Sequence, residues 1–451
     1  MSGPRKRGLA SSLREHRGLT IVLHTHMPYV EGFGTWPFGE EWLWEAIATS
    51  YLPLLDVLEA APELTLSLTP VLCDQLEAPG VRDRCLAFLR EVRPESHRLD
   101  LEVEDDPAIA AALERSAAAY AAAADALERR GDLLAAFAPH ACWTSAATHA
   151  VLPLLATSTG VRLQLLTGVA SHRERFGEWG GGLWLPECAH ADWLDDLLEE
   201  AGARLTCVDW TSVLGPGAHA PRRTEAGVVL VPIDREAVDL VWARDGYPSA
   251  SVYRDSHRLT ARSHRPWAVG GDAYDADAAA EQVAADAAAF VAFVAGRKQR
   301  SVVALDTELL GHFWHEGADW LRAVIGECER RGVSLERLDP EDDVEAAPVD
   351  VPATSWGAGR DLRTWSSPAA AGVAWTQRAA ELRALTARRR PSDRALRELL
   401  ALQSSDWAFQ IAEGTAGAYP QERVDGHVAA LEEALADPAM APALRNLAPW
   451  I

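Results

Sequence analysis

Lysine is nearly absent from this chain. Among 451 residues it occurs only at Lys6 and Lys298, and the other basic residues are arginines. Positive charge is scarce altogether: 43 Lys and Arg stand against 66 Asp and Glu, a formal net charge of −23. A protein that grips nucleic acid by its phosphates needs a basic footprint, so a nucleic-acid partner is excluded on this composition. An anionic membrane surface is disfavoured for the same reason, while a neutral partner is compatible. Cysteine is sparse and scattered. Cys73, Cys85, Cys142, Cys188, Cys207 and Cys328 show no CxxC or zinc-finger spacing. Several lie in apolar runs, where a free thiol acts as a small hydrophobe, so a reducing, cytoplasmic setting is expected. No apolar run approaches the ~18 residues of a membrane span. Met1 to Gly18 is basic and polar, without the apolar stretch of a secretory leader.

What is present in quantity is apolar. The chain is 48% hydrophobic, enough for a sizeable core. Its length exceeds the roughly 100–200 residues of an ordinary domain, though barrels run longer. Tryptophan is abundant, 17 against 9 Phe and 7 Tyr. Indoles fill cores. They also stack on the apolar faces of sugar rings while the N–H keeps a polar partner.

Two stretches have the form of a buried strand that ends on a carboxylate. Gly182-Leu183-Trp184-Leu185-Pro186-Glu187-Cys188 is apolar until Pro186, which cannot continue a hydrogen-bonded ladder. Ser301-Val302-Val303-Ala304-Leu305-Asp306-Thr307-Glu308 has the same shape. In a parallel barrel a polar residue just past a strand end points into the active-site mouth. One such carboxylate could simply cap a helix. Two of them point to paired-carboxylate chemistry.

Leu19 to Leu23 is a β-branched apolar run that leads into His24-Thr25-His26. Residues i and i+2 share a strand face, so both histidines are expected to point the same way. Hydrogen bonding at a barrel mouth, zinc ligation, and hydrogen bonding to a sugar hydroxyl or a catalytic carboxylate all remain open for this pair. Glu63 to Pro70 reads as a second strand, and Pro79 to about Ala136 as helix throughout. Ala141 onward is strand-like and ends at His149. Arg204 to Val208 is a short strand, with a hairpin-like segment through Gly227 to Asp234 and then Val241-Trp242. Ala278 to Gly296 and Asp319 to Arg331 read as helices. Ser355-Trp356-Gly357 and Thr364-Trp365-Ser366 read as loop, and from Ala374 the pattern is helical. Strands alternating with helices to about residue 340, then helices alone, describe a parallel α/β barrel with a helical C-terminal domain.

These motifs together resemble glycoside hydrolase family 57, in particular its α-1,4-glucan branching enzymes. The resemblance runs through Leu23-His24-Thr25-His26-Met27-Pro28-Tyr29, Trp36-Pro37-Phe38-Gly39-Glu40-Glu41-Trp42 and Ala147-Thr148-His149-Ala150. It continues through Leu183 to Cys188, Asp306-Thr307-Glu308-Leu309 with Gly311-His312, Ser355-Trp356-Gly357, and Gln403-Ser404-Ser405-Asp406-Trp407. It implies an incomplete (β/α)7 barrel. The expected division is a polar tail at 1–18, the barrel at 19–350 with a helical insertion at about 79–137, and a helical domain at 351–451 that contributes to the site.

The resemblance also implies a retaining enzyme acting on an amylose- or glycogen-like α-glucan, with Glu187 as nucleophile and Asp306 as general acid/base. His24, His26, His149, Trp242, Trp356, Trp365, Asp406 and Trp407 become substrate-binding residues, and no metal or other cofactor is required. Hydrolysis or 4-α-glucanotransfer within the same family is the alternative. Beyond the family stand a zinc-dependent hydrolase, with His24 and His26 joined by His149 or Asp306, and a silent glucan-binding protein. One departure stands out. The family's longer, tyrosine-bearing lid is replaced by Leu214-Gly215-Pro216-Gly217-Ala218-His219-Ala220-Pro221, where His219 is the one side chain expected to approach the site.

Overall fold

The computed structural model describes residues 18–30, 38–339, 344–386, 389–439 and 446–451. The polar tail up to residue 17, and Trp36 and Pro37 of the aromatic motif, lie outside the described residues. Among the described residues, seven parallel strands form the body of a ten-stranded sheet whose other three members are two residues long: β1 (Gly18–Thr25), β2 (Thr65–Leu68), β3 (Ala141–Ser145), β4 (Gly182–Trp184), β5 (Leu205–Val208), β6 (Val229–Pro232) and β7 (Ser301–Asp306). Their order is β6-β5-β4-β3-β2-β1-β7. All eight residues of β1 are buried, as expected for a strand covered on both faces. The two-residue strand Arg222–Arg223 pairs antiparallel with β6 and carries Glu345–Ala346 beyond it; β6 and β7 make no ladder with each other among the described residues, although Asp234 N–H donates to the Val302 carbonyl at 2.7 Å. This is the incomplete (β/α)7 barrel that the motifs implied.

Register places the chemistry. In the β1–β7 pair Leu19 faces Ser301 and His24 faces Asp306, so the histidine run and the second carboxylate leave the sheet side by side. In the β3–β4 pair Trp143 faces Gly182. A Cβ on Gly182 would come within 2.2 Å of the Trp143 indole, so only glycine allows β4 to lie this close.

Between β2 and β3 the chain is helical, and its longest helix, Pro107–Arg130, is capped by Asp106. A buried ion pair between Arg93 and Glu45 at 2.6 Å, with Tyr120 alongside, ties this excursion to the helix that starts at Glu40. Helix Ala276–Ala295 holds no unbroken apolar run of membrane-spanning length, being interrupted by Asp277, Glu281 and Asp286. By length and composition it is apolar enough to cross a membrane, with a mean hydropathy of 1.4. Alanines account for this, and Ala279, Val283, Phe290, Val291 and Val294 bury against the barrel core.

Four helices, Ala371–Leu385, Asp393–Leu402, Ser405–Glu413 and Tyr419–Ala436, close the chain around a core that includes Trp365, Trp407, Leu399, Val424 and Leu431. Thr364 to Ser366 belongs to a short helix, Arg363–Ser366, where loop was expected. The helical unit docks on the barrel through an isolated bridge between Ala150 and Ser404 and through Ser405 N–H, which donates to the His149 carbonyl at 3.1 Å.

Candidate active site

Strand β4 ends at Trp184, and Glu187 sits in the tight turn Pro186–Cys188 with φ +63°. Cys188 follows at +49°, and His149 lies at +59°. Left-handed backbone costs a non-glycine residue of order 1–3 kcal/mol and persists only where surroundings enforce it. Three such residues meeting in one place mark this as the organised part of the molecule. At Glu187 the enforcement is visible. Trp356 N–H donates to its carbonyl at 3.0 Å, and the Trp356 indole N–H donates to Oε2 at 2.9 Å.

The histidines form a stack. His26 and His149 have ring centroids 4.1 Å apart, His24 and His149 4.8 Å, and His24 lies 4.7 Å from Trp184. His24 Nε2 and His149 Nε2 share a hydrogen bond at 2.8 Å, and His149 Nδ1 pairs with Ser405 Oγ at 2.9 Å. His149 Nδ1 also lies 3.6 Å from Glu187 Oε1. His26 Nε2 meets Asp406 Oδ2 at 2.9 Å. The helix beginning at Ser405 therefore brings two residues from far along the chain into contact with strand-end histidines.

Burial sets the charge states. It pushes Asp306 well above the usual carboxylate range, and the like charges of Glu308, Glu187 and Asp406 add to the effect. Burial also raises Glu187, to about 6, against hydrogen bonds from Trp356 and Ser405 that hold it down. Glu308 is raised by burial to about 7, although Tyr51 O–H donates to it at 2.6 Å. Burial would raise Asp406 as well, but the charge and hydrogen bond of His26 outweigh it and bring the group to about 2. Burial pulls His26 down, yet Asp406, Glu308 and Glu187 together lift it above its ordinary value. His24 and His149 are driven well below theirs by burial and by neighbouring imidazoles, so both are neutral at pH 7.

The structure thus gathers Glu187, Asp306, His24, His26, His149, Trp356 and Asp406. Trp242 ends helix Arg235–Trp242 and is 48% exposed, free to offer a flat face. Trp365 and Trp407, expected among the substrate-binding residues, are placed differently. Trp365 is 1% exposed and Trp407 fully buried, so neither presents a face to a ligand. Trp365 instead packs beneath Gly357, where a Cβ would lie 2.8 Å from its ring, and Trp407 donates to the Ala401 carbonyl at 2.9 Å. His219 also differs from expectation. It is buried, with Asp234 Oδ2 3.9 Å away and Arg297 and Glu236 as its other charged neighbours, none of them in the site.

Tyr51, Glu308, Ser405 and Arg360 were not singled out in the sequence. Arg360 donates to the Trp356 carbonyl at 2.7 Å and lies 3.7 Å from Asp209 at the end of β5. Glu308 and Ser405 stand one or two positions from Asp306 and Asp406, which is a usable signal. Tyr51 has none.

His26, His149 and Asp406 bring one potential metal-ligand atom each within 4.8 Å of one another. Two ligands of one tetrahedral zinc sit about 3.3 Å apart at bond lengths near 2.0–2.2 Å. Here the Nε2 atoms of both histidines are already engaged, by Asp406 and by His24. The arrangement fits a hydrogen-bonded relay better than a ligand set.

Fold and site together define an enzyme of incomplete α/β-barrel type built on buried carboxylates. Residues 142–347 match glycosyl hydrolase family 57, and residues 371–443 match the C-terminal region of 1,4-alpha-glucan branching enzymes. A 1,4-alpha-glucan branching enzyme of Thermococcus kodakarensis is 31% identical over 90% of this chain and 71% of its own length. A crystal structure of a family 57 branching enzyme from that organism, in complex with glucose, superposes at a TM-score of 0.81 with 29% identity, covering 91% of this chain and 89% of that one. A probable 1,4-alpha-glucan branching enzyme of Mycobacterium tuberculosis is 30% identical over 92% of this chain and 91% of its own. The branching enzyme of Pyrococcus horikoshii superposes at 0.83 with 30% identity, over 91% and 88% of the two chains. The chain belongs to glycosyl hydrolase family 57.

Proposed function

We propose that this chain is a retaining 1,4-α-glucan branching enzyme, with Glu187 as nucleophile and Asp306 as general acid/base. The observation that carries the reading is the contrast between the two carboxyls. Asp306, buried and crowded by three other carboxylates, holds its proton more tightly than an ordinary carboxyl and can give it to a leaving oxygen. Glu187, held by the Trp356 and Ser405 donors, is mostly ionised at pH 7 and can attack. Environments that drive paired carboxyls apart assign acid and nucleophile.

In the first step the Glu187 carboxylate bonds to the anomeric carbon, the α-1,4 bond breaks, and the Asp306 proton passes to the departing O4. In the second, a glucan 6-hydroxyl loses its proton to Asp306 and attacks the same carbon. An α-1,6 bond forms and Glu187 is released. Retention requires the two carboxyls to lie about 5–5.5 Å apart. His24 and His149, expected to bind substrate, are buried and joined through their Nε2 atoms, so they back the Glu187 carboxylate instead, and His26 sets local charge through Asp406. Trp242 and Trp356 supply stacking faces. The division at about residue 350, with the helical domain delivering Ser405 and Asp406, belongs to this reading. So does a cytoplasmic location, supported by six cysteines that are all free.

Incubation with amylose, followed by counting new α-1,6 linkages and new reducing ends, tests the activity. New branches are expected. Reducing ends alone would establish a hydrolase, and longer unbranched chains a 4-α-glucanotransferase. Glu187→Gln, which keeps volume and removes the attacking charge, should abolish all three. Exhaustive chelation should leave the rate unchanged, whereas loss with EDTA and recovery with zinc would replace this mechanism by a histidine-ligated one.

A further inference from the structure

A cavity of about 640 Å³ lies apart from Glu187 and Asp306, and neither carboxylate lines it. It sits between the helical insertion and the segment that follows β7. The helix that starts at Glu40 separates it from the site. Glu45, Ala48, Thr49, Leu52 and Asp56 make one helical face and line the cavity, whereas Ser50 and Tyr51 turn to Thr307 and Glu308.

In a chain of net charge −23 this lining is cationic, six arginines against three carboxylates. Each of the three is already engaged: Glu45 by Arg93 at 2.6 Å, Asp56 by Arg130 at 2.5 Å, and Asp319 by Arg322 at 2.5 Å. Arg254 and Arg265 have no ion pair among the described residues, and the Nε of each is buried without a partner. Arg254 lies over the Tyr274 ring at 4.4 Å, and Arg265 donates to the His312 carbonyl at 3.1 Å. Glu316 is the nearby carboxyl, but it makes no ion pair with either guanidinium among the described residues. It accepts from the Arg254 backbone N–H at 3.1 Å, and burial raises its carboxyl.

Burial and the Arg265 charge together hold the Arg254 guanidinium below its ordinary range, against the pull of Tyr274 and Glu316. Burial, then Arg265 and Arg93, press His312 down to about 3, so its imidazole is a neutral donor or acceptor, and its Nδ1 has no partner. Half-buried guanidiniums that make no ion pair are costly, and paired N–H forks match the oxygens of a phosphate. The volume falls within the roughly 300–1,000 Å³ of small-molecule pockets. Phe313, 48% exposed, adds an apolar ring at its edge.

We propose that this cavity binds a phosphate monoester, with Arg254 and Arg265 gripping the phosphate and His312 completing its hydrogen bonds. The remaining volume accommodates a hexose. Isothermal titration of the intact protein in phosphate-free buffer, at fixed ionic strength, tests this with inorganic phosphate, glucose 6-phosphate and glucose. Glucose 6-phosphate is expected to bind saturably, inorganic phosphate to compete with it, and glucose not to displace it. Arg254→Gln and Arg265→Gln should each weaken binding at least tenfold while keeping a cooperative melting transition. Equal affinity for both phosphates would assign the site to inorganic phosphate. Absence of saturable binding by the wild type, or unchanged affinity in both folded variants, overturns the proposal.

Discussion

Trp356 holds Glu187 at both ends: its backbone N–H bonds the Glu187 carbonyl at 3.0 Å and its indole N–H bonds Oε2 at 2.9 Å. The first contact pins a left-handed backbone, and the second aims the carboxylate. Arg360, on the Trp356 carbonyl, and Trp365, beneath Gly357, brace the same loop from behind. A tryptophan expected only to stack on sugar is thus also a positioning group for the proposed nucleophile.

Trp356→Phe separates those roles. Phenylalanine keeps a ring and the backbone bond but donates nothing to Oε2. The lost hydrogen bond favoured the charged form, so the Glu187 pKa should rise above about 6. The acid limb of the kcat/KM profile should move to higher pH, with a smaller change on the alkaline side. An unmoved acid limb in a folded variant would show that the indole N–H does not tune this carboxylate.

Glu308→Gln tests the buried charge beside Asp306. Gln Oε1 can still accept from Tyr51 O–H and from His26 N–H, as Glu308 Oε1 does. Burial raises the folded-state pKa of Glu308 from about 4.5 to about 7. The stability that the protonated form carries is present below about 4.5 and is lost as pH rises through about 7. The variant should therefore match wild type near pH 4.5 and exceed it by up to about 3 kcal/mol above pH 8, at 1.36 kcal/mol per pKa unit. Chemical denaturation at several pH values measures the difference. Because Glu308 also raises Asp306, the alkaline limb of activity should fall to lower pH.

The strand-end carboxylates were legible because each follows an apolar run with a clear stop, at Pro186 and after Leu305. The barrel was legible for a related reason: strands buried on both faces leave short apolar words between helical ones. Burial within the helical domain was not. Trp365 and Trp407 stand in polar-looking text, Thr364-Trp365-Ser366 and Ser405-Asp406-Trp407, and only packing shows that both are core. Tyr51 reaches Glu308 across 257 residues of sequence, from a helix face that local pattern cannot connect to β7. His219 misled because a small-residue loop suggested a free side chain, whereas Asp234 and Arg297 sit where it turns inward.

The tryptophans divide by burial, and substitution should divide them the same way. Trp365→Ala opens a core cavity and should cost roughly 3–5 kcal/mol, with activity falling as Trp356 loses its support. Trp242→Ala removes a side chain that is 48% exposed, so its melting temperature should stay near wild type. Its KM for amylose should rise severalfold, as loss of a stacking face requires. Equal losses of stability in the two variants would remove the distinction between core and platform.

The segment from Leu214 to Pro221 carries the last prediction. Gly215 and Gly217 have φ of +82° and +80°, making a tight turn in which a side chain would meet nothing within 4 Å. Ala218 and Ala220 have no reach, and His219 is turned towards Asp234. No side chain of this segment bonds Glu187, Asp306 or their partners among the described residues. A glycosyl intermediate on Glu187 is then less shielded from water than under a longer loop, and water competes with the 6-hydroxyl for the anomeric carbon. Reducing ends should accumulate beside new branches on amylose, and their ratio should fall as acceptor glucan is added. A longer, tyrosine-bearing loop grafted between Val213 and Arg222 should lower the hydrolytic share at an unchanged cleavage rate. Replacing His219 alone by Ala should leave the ratio where it was, because that side chain serves the β6–β7 seam. A branching wild type with no rise in reducing ends, or a folded graft with an unchanged ratio, would move control of the partition to the acceptor side, near Asp406 and the helix that carries it.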